Sequence, residues 1–114
     1  MEKVKVVDIV GTAVCVSDEA ANKLLSFLED NIQQNRKVLL SFDGVKMLIS
    51  RFMNVGIGRL YKSIDANHIQ QYLEYTDMDK DDLELLIKKV IPTAKQHFLD
   101  EDKSNNIEKE VLGD

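Results

Sequence analysis

The stretch "VLLSFDGVKMLISRFMNVGIGRLY", residues 38–61, decides how this chain folds. Residues 37–42 are mostly apolar, and Asp43-Gly44 follows them as a typical turn pair. A short apolar run between a charge and a turn predicts a central strand that is buried on both faces. Apolar residues at helical spacing then predict a helix over about 52–64. The residues on its inward face are Met53, Gly56, Ile57, Leu60, Tyr61 and Ile64.

The chain before this stretch is expected to supply two strands and a helix. Residues 3–9 and 12–16 have the apolar pattern of strands, and Gly11 between them is compatible with a hairpin. Ser17 is expected to cap the helix that follows, because its hydroxyl can accept a hydrogen bond from an exposed backbone N–H. Apolar residues at helical spacing place one face of this helix in the core. They are Ala21, Leu24, Leu25, Leu28 and Ile32.

The chain after this stretch is expected to end in a long helix. Residues 69–76 fit either a strand or a helical turn, and both interpretations stay open. Asp79 is expected to cap a helix with a regular apolar stripe. The stripe consists of Leu83, Leu86, Ile87, Val90, Ile91, Ala94 and Phe98. Pro92 is expected to kink this helix or to separate its last turns, although the apolar face continues beyond it.

Alternating strands and helices in a short chain indicate an α/β fold. We expect a small mixed or parallel sheet packed with about three helices. The chain has 114 residues, which suffices for one compact domain, and we place that domain at residues 1–99. Residues 100–114 hold six acidic residues and two lysines, a net charge of −4. This acidic tail is expected to be disordered, unless Ile107, Val111 and Leu112 form a short partner-binding helix.

Composition and charge argue against several kinds of partner. The net charge is −5 and the tail accounts for −4, so the predicted domain is almost neutral. Because it has neither tryptophan nor a basic stripe with interleaved aromatic residues, we expect no nucleic-acid partner. No apolar run approaches the roughly 20 residues that cross a bilayer, and the charged N-terminus is unlike a signal peptide. We therefore expect a cytoplasmic protein without membrane contact, with its single Cys15 packed as a small hydrophobe.

The sequence offers little for metal binding or catalysis. His68 and His97 lie far apart and lack a nearby cysteine or carboxylate pattern, so no metal site is expected. The motif "DMDKDD", residues 77–82, lacks the glycine and the distal glutamate of a calcium-binding EF-hand loop. Gly56 and Gly58 do not extend into a dinucleotide-binding pattern. Since a nucleophile elbow is also missing, we expect no cofactor and no enzymatic activity.

Two glycines in the predicted helix require an explanation, because glycine costs about 1 kcal/mol relative to alanine in a helix. Gly56 lies on the apolar face, where it would let the helix backbone approach the sheet closely. Gly58 lies off that face. Its presence is explained either by packing or simple tolerance, or by the close approach of a binding partner.

The central stretch also resembles a known family. Residues 38–45, 52–54 and 57–61 are similar to the STAS-like α/β domain, which is related to bacterial anti-sigma-factor antagonists. The resemblance covers about residues 3–98. It implies a small regulatory module without catalysis, whose partner is a histidine-kinase-like ATPase domain acting as a serine kinase or anti-sigma factor. The partner would dock at the second helix and the loop before it, and phosphorylation of a hydroxyl residue in that loop would break the complex.

Three positions depart from the family pattern. Ser41 stands where the family strand tends to carry an acidic residue, and Val55 stands where an acidic residue commonly follows the asparagine. Arg51 replaces the hydroxyl residue that commonly precedes the Phe-Leu-Asn pattern. Ser50 is the hydroxyl residue that remains in the loop, and it is the phosphorylation candidate. It is also expected to cap the second helix, and the two roles are compatible.

The resemblance implies that this protein binds a partner protein, and we expect the contact surface around the start of the second helix. The residues at or near this surface are Ser50, Arg51, Phe52, Asn54, Gly58, Arg59 and Lys62. Exposed apolar area is expected beside them. The alternative is a constitutive scaffold or subunit of a larger complex, in which the departures have removed the phosphorylation control. Self-association as a homodimer also stays open.

Overall fold

The structure, a computed structural model, describes residues 2–98. The predicted tail, residues 100–114, lies outside the described residues, and so does the predicted domain boundary at residue 99. The strands are β1 (Lys3–Lys5), β2 (Val14–Cys15), β3 (Val38–Ser41), β4 (Met47–Leu48) and β5 (Leu73–Thr76). The α-helices are α1 (Val6–Val10), α2 (Asp18–Gln33), α3 (Ser50–Met53), α4 (Leu60–Ser63), α5 (Ala66–Tyr72) and α6 (Lys80–Leu85). Two π-helical turns, π1 (Asn54–Gly58) and π2 (Leu86–Val90), and a helical stretch over residues 91–98 complete the elements.

Three parallel strands form the main sheet. β3 lies at its centre, with β1 paired on one side and β5 on the other. Leu40 of β3 is aligned with Val4 of β1 and with Tyr75 of β5, and it is fully buried. Helices connect these strands, because parallel neighbours require long crossover connections. The predicted α/β fold and the predicted central strand are both confirmed.

The predicted N-terminal hairpin is wrong. β1 is followed directly by α1, which ends at Gly11 in the left-handed conformation with a φ of 78°. β2 pairs in parallel with β4, which lies between the predicted central strand and the predicted second helix, where the sequence analysis placed no strand. Val6 and Val10 are buried while Asp8 is exposed, and this pattern fits one face of a helix. A strand would instead have placed all three side chains on the same face.

α2 forms as predicted, with Ser17 at its N-cap. The Ser17 hydroxyl accepts a hydrogen bond from the backbone N–H of Ala20 at 3.1 Å. Asp18 and Glu19 stand in the first turn, where negative charge suits the helix dipole. The buried residues of this helix are Ala20, Ala21, Leu24, Leu28 and Ile32. Their face packs against π1 and so joins the helix to the centre of the molecule.

Residues 50–63 form one helical segment, called the middle segment below, which consists of α3, π1 and α4. The sequence analysis predicted that Gly56 packs against the sheet. In the structure it packs against α2 instead. A β-carbon on Gly56 would lie 3.1 Å from Cδ2 of Leu24 and 3.3 Å from the carbonyl oxygen of Ala21. A β-carbon on Gly58 would lie 3.5 Å from Cβ of Ala94. Gly58 is therefore buried against another part of the same chain, which supports the packing interpretation and corrects the expectation that a partner approaches it.

The ambiguous residues 69–76 contain both of the elements that their sequence allowed. α5 ends at Tyr72, and β5 begins at the next residue. Asp65 starts α5, because its carboxylate accepts a hydrogen bond from the backbone N–H of Asn67 at 3.1 Å. The helical and strand interpretations thus apply to different halves of this stretch.

Residues 80–98 form a second long helical stretch, called the C-terminal segment below, which consists of α6, π2 and residues 91–98. Asp79 occupies its N-cap position as predicted, but the Asp79 side chain makes no capping hydrogen bond. The helix continues through Pro92, and π2 lies just before this residue, which has no N–H to donate. Val90 and Ala94 are both buried, so the apolar face continues beyond the proline as predicted.

Two sequence expectations concern Cys15 and membrane contact. Cys15 is a free, fully buried cysteine, so it packs as the predicted small hydrophobe. Burial also raises the pKa of its thiol. Within the described range, no helix combines the length and the apolar character that crossing a bilayer would require.

The contact between Gly56 and α2 predicts opposite effects of alanine at the two glycines. Gly56→Ala is expected to lower the free energy of unfolding by about 1–2 kcal/mol, because the new methyl group presses on the α2 backbone at Ala21. Gly58→Ala should leave it unchanged or raise it by up to about 1 kcal/mol, since its methyl group meets Ala94 at an ordinary distance. Urea denaturation followed by circular dichroism measures both. Equal effects of the two substitutions would contradict this account of the packing.

Candidate functional site

The short β2–β4 ladder presents apolar side chains to solvent. Val14 is aligned with Met47, and these two residues are 44% and 55% exposed. Cys15 and Leu48 form the next aligned pair, and Cys15 is fully buried. Because side chains alternate across a strand, the pair that follows points outward again. The four outward residues, called the β2–β4 patch below, are Val14, Val16, Met47 and Ile49.

Backbone hydrogen bonds hold the two sides of the β2–β4 patch together. The backbone N–H of Met47 donates to the carbonyl oxygen of Ala13 at 3.3 Å. The backbone N–H of Ile49 donates to the carbonyl oxygen of Cys15 at 3.4 Å. The patch is therefore a small surface with a fixed backbone. Adjacent exposed apolar side chains on a folded protein commonly mark an interaction site, whereas single ones need no explanation.

Ser50 directly follows the β2–β4 patch and is exposed. It is the first residue of α3, and the N-cap position belongs to Ile49, which has no capping side chain. The prediction that Ser50 caps this helix is therefore wrong, because the helix begins one residue earlier than that role requires. The Ser50 side chain is exposed, and its hydroxyl makes no hydrogen bond to another described residue.

Arg51 joins the start of the middle segment to the start of α2. Its Nε donates to Oδ1 of Asp18 at 2.8 Å, and its Nη2 donates to Oδ2 at 2.7 Å. This bidentate hydrogen bonding lowers the pKa of Asp18, and the nearby charges of Arg51 and Arg59 act in the same direction. The side chains of Arg51 and Asp18 are 67% and 51% exposed, so solvent screens much of the attraction. The pair fixes the geometry of the site more than it stabilises the fold.

The other predicted contact residues divide into exposed and buried groups. Asn54, Arg59 and Lys62 are exposed on the middle segment. Phe52 is 1% exposed and Gly58 is buried, so their prediction as partner contacts is corrected. Phe52 belongs to the hydrophobic core, and Gly58 packs on the C-terminal segment. The structure thus places Ser50 and Arg51 beside the β2–β4 patch, whereas Phe52 and Gly58 lie in the interior.

Ser41 takes part in a polar network at the end of β3. Its hydroxyl donates to Oδ2 of Asp77 at 2.7 Å and accepts from the backbone N–H of Asp43 at 3.2 Å. The hydrogen bond from Ser41 lowers the pKa of Asp77, and a hydrogen bond from Lys3 adds to this effect. Ser41 was noted above as a departure from the acidic residue of the family pattern. Asp77 places a carboxylate next to it from the neighbouring strand end, which sequence spacing alone did not reveal.

The described residues offer no cluster of three or more histidine, cysteine or carboxylate side chains that could hold a metal ion. His68 makes a hydrogen-bond contact through its Nε2 with the carbonyl oxygen of Ile32 at 2.9 Å, and its ring lies 4.9 Å from that of Tyr72. The contact with Ile32 attaches α5 to the end of α2 and gives His68 a structural role. His97 lies beside Phe98, with 5.0 Å between the ring centroids.

Comparison with known protein families gives a match. The profile of a family described as a STAS-like domain of unknown function matches residues 20–83, which is more than half of the chain. This range extends from the first turn of α2 into α6 and includes β4, Ser50 and Arg51. Neither the curated proteins nor the solved structures that were compared contain a match.

The Arg51–Asp18 pair predicts how the site responds to pH. In Arg51→Ala, the pKa of Asp18 is expected to rise towards that of an unpaired aspartate, because the bidentate hydrogen bonds are lost. In the wild-type protein, the folded-state pKa of Asp18 lies below its unfolded-state pKa. The stabilising contribution of the pair is therefore present above the unfolded-state pKa and is lost as the pH falls through the folded-state pKa.

NMR titration of the Asp18 carboxyl carbon measures this change. Lys62→Ala is the matched control, since Lys62 is an exposed cation of the same helical segment that makes no ion pair with a described residue. The control should leave the pKa of Asp18 where it is. An unchanged pKa in Arg51→Ala would show that the two side chains do not pair in solution.

Proposed function

The chain belongs to the family of STAS-like domains of unknown function, and we propose that it is a non-catalytic regulatory module that binds a partner protein. The proposed partner is a histidine-kinase-like ATPase domain or an anti-sigma factor, as for the anti-sigma-factor antagonists that the sequence resembles. The observation that carries the proposal is the β2–β4 patch, which continues directly into the exposed Ser50 and Arg51.

The composition of this surface suits protein docking. Interfaces between proteins usually have an apolar centre from which water is excluded and a polar rim that sets orientation. The β2–β4 patch provides the apolar centre, and Arg51 and Asn54 provide polar groups beside it. Because the backbone of the patch is already hydrogen-bonded, little ordering would be needed when a partner binds.

Phosphorylation of Ser50 is the proposed control of this contact. A phosphate carries close to two negative charges and three strong acceptors, so burying it against apolar residues is costly. Ser50 follows Ile49 of the β2–β4 patch, and a phosphate there would have to be desolvated in the complex. The Ser50 hydroxyl takes no part in capping the helix, so its modification would weaken docking without removing a structural hydrogen bond.

A constitutive scaffold is the second candidate, and the Arg51–Asp18 pair favours it. Arg51 stands where the family commonly carries the hydroxyl residue, and its guanidinium is held by Asp18. Under this alternative the same surface binds a partner permanently, as a subunit of a larger complex. The two candidates share the β2–β4 patch and differ in whether ATP affects the complex.

Substitution in the β2–β4 patch tests the docking surface. Met47→Asp is expected to weaken binding to the ATPase-domain protein of the same genome at least roughly tenfold, because it places a charge in the apolar centre. Isothermal titration calorimetry with the isolated, monovalent ATPase domain measures the affinity. Ile87→Asp is the matched control, since Ile87 is 49% exposed compared with 55% for Met47 and lies outside the patch. Equal losses in both variants, or none in either, would count against docking at the patch.

ATP separates the regulated module from the scaffold. When the complex is incubated with ATP, we expect phosphate on Ser50 in the mass spectrum and release of the partner on size-exclusion chromatography. Ser50→Ala should bind equally well and stay bound with ATP, and a non-hydrolysable nucleotide should not release the wild-type protein. A complex that persists in ATP without modification supports the scaffold. No complex under any condition argues against both candidates.

A further inference from the structure

A second exposed apolar surface lies between β5 and the C-terminal segment. The sequence predicts Leu83 and Ile87 as core residues, but they are 37% and 49% exposed. They line a groove with a volume of about 710 Å³. Its apolar and aromatic lining includes Tyr61, Leu73, Tyr75, Leu83, Ile87 and Ile91. This groove, called the β5 groove below, shares no residue with the β2–β4 patch.

The β5 groove continues to the end of the described chain. A smaller pocket of about 460 Å³, called the Phe98 pocket below, shares three residues with the groove, and Lys95 is one of them. Phe98, the last described residue, also lines this pocket. Ile87, Ile91, Lys95 and Phe98 follow one another at three- or four-residue spacing, which places them on one face of a helix. The chain therefore leaves the described structure from the face that lines the groove.

The Phe98 pocket carries two cations. Lys62 and Lys95 line it, and neither forms an ion pair with another described residue. Asp65 also lines the pocket, but its carboxylate accepts the hydrogen bond that starts α5. Glu74 belongs to the strand wall of the β5 groove, and its side chain points to the opposite face of β5 from its groove-lining neighbours. An occupant therefore meets positive charge at the Phe98 end of the surface.

We propose that the acidic tail of this same chain occupies this surface, with its acidic residues at the Phe98 pocket and Ile107, Val111 and Leu112 in the β5 groove. The chemistry along the tail follows the same order as the chemistry along the surface. Residues 100–102 are all acidic and come almost directly after Phe98, where the two cations lie. The three apolar residues come later, as the apolar groove does.

The tail is long enough to reach the whole β5 groove. Leu83 is the groove-lining residue of the C-terminal segment that lies furthest from Phe98. Fifteen residues of helical chain separate the two, a distance of about 22 Å at 1.5 Å per residue. Nine residues lead from Phe98 to Ile107, and an extended chain of this length spans up to about 30 Å. Ile107 can therefore reach either end of the groove.

Attachment to the same chain favours the tail over other occupants. A segment joined by a short connection has an effective concentration of about millimolar, whereas a second copy or a separate peptide has to lose its translational freedom on binding. A basic segment would be repelled by Lys62 and Lys95. The tail also gives Leu83 and Ile87 the burial that their places in the apolar stripe predict. The β2–β4 patch stays free for a partner.

Methyl NMR of the full chain tests the apolar contact. V111D/L112D should lower the bound-to-free ratio of the tail at least roughly tenfold and shift the methyl signals of Leu83 and Ile87, because two apolar groups leave the groove. N105D/N106D is the matched control, since it adds the same charge to the tail and keeps its apolar residues. The control should leave both signals in place. Unmoved signals in V111D/L112D, or equal shifts in the two variants, would overturn the proposal.

Mixing and dilution show whose tail fills the groove. Dilution of the wild-type chain should leave the Ile87 methyl signal in its bound position, because an intramolecular contact does not depend on concentration. Unlabelled wild-type chain, added to isotope-labelled V111D/L112D, should not move the Ile87 signal of the labelled variant. A shift in either experiment would show that the tail of another molecule fills the groove and would refute the assignment.

A charge reversal tests the ionic contact. Lys95→Glu should lower the bound-to-free ratio of the tail by up to about fivefold, the range of an exposed ion pair, and move the Ile87 signal part of the way to its free position. Lys89→Glu is the matched control, since Lys89 is an exposed cation of the same segment that lines neither the groove nor the Phe98 pocket. Equal responses of the two variants would contradict the proposed contact. None of these experiments requires the ATPase-domain partner, so their outcome is independent of the proposed function.

Discussion

The middle segment passes close to α2 at Gly56, and the joining of these two helices at the centre of the molecule depends on this approach. A side chain at Gly56 would meet Leu24 and the backbone of Ala21, so the two helices can lie this close because the residue is glycine. The same contact brings the start of α3 near the start of α2, where Arg51 reaches Asp18. The Arg51–Asp18 pair beside the proposed docking surface therefore accompanies helix packing in the core.

The elements with long and regular patterns could be predicted from the sequence. The central strand, α2 and the C-terminal helix each have several apolar residues in one consistent pattern. A pattern of that length fits one type of secondary structure much better than another. The β2–β4 ladder has two residues in each strand, and α1 has five residues, so their patterns were too short to decide between strand and helix. The pairing of β2 with β4 depends on a contact between distant parts of the chain, which local periodicity cannot contain.

Only some residues of the candidate site could be placed correctly from the sequence. The family resemblance indicated Ser50 and Arg51 near the start of a helix, and both residues are exposed there. Phe52 and Gly58 were misplaced because the middle segment is buried on two sides. It contacts α2 on one side, while Gly58 meets the C-terminal segment on another. A single amphipathic stripe identifies one buried face and leaves the second face unassigned.

Rigidity at the start of α3 determines what kind of control the site can have. Ile49 is hydrogen-bonded to β2, and Arg51 is held by Asp18, so Ser50 lies between two fixed residues. A phosphate on Ser50 would add charge to a surface whose backbone has little freedom to rearrange. Its effect would therefore be local, through repulsion and desolvation at the contact, and would not require the domain to unfold.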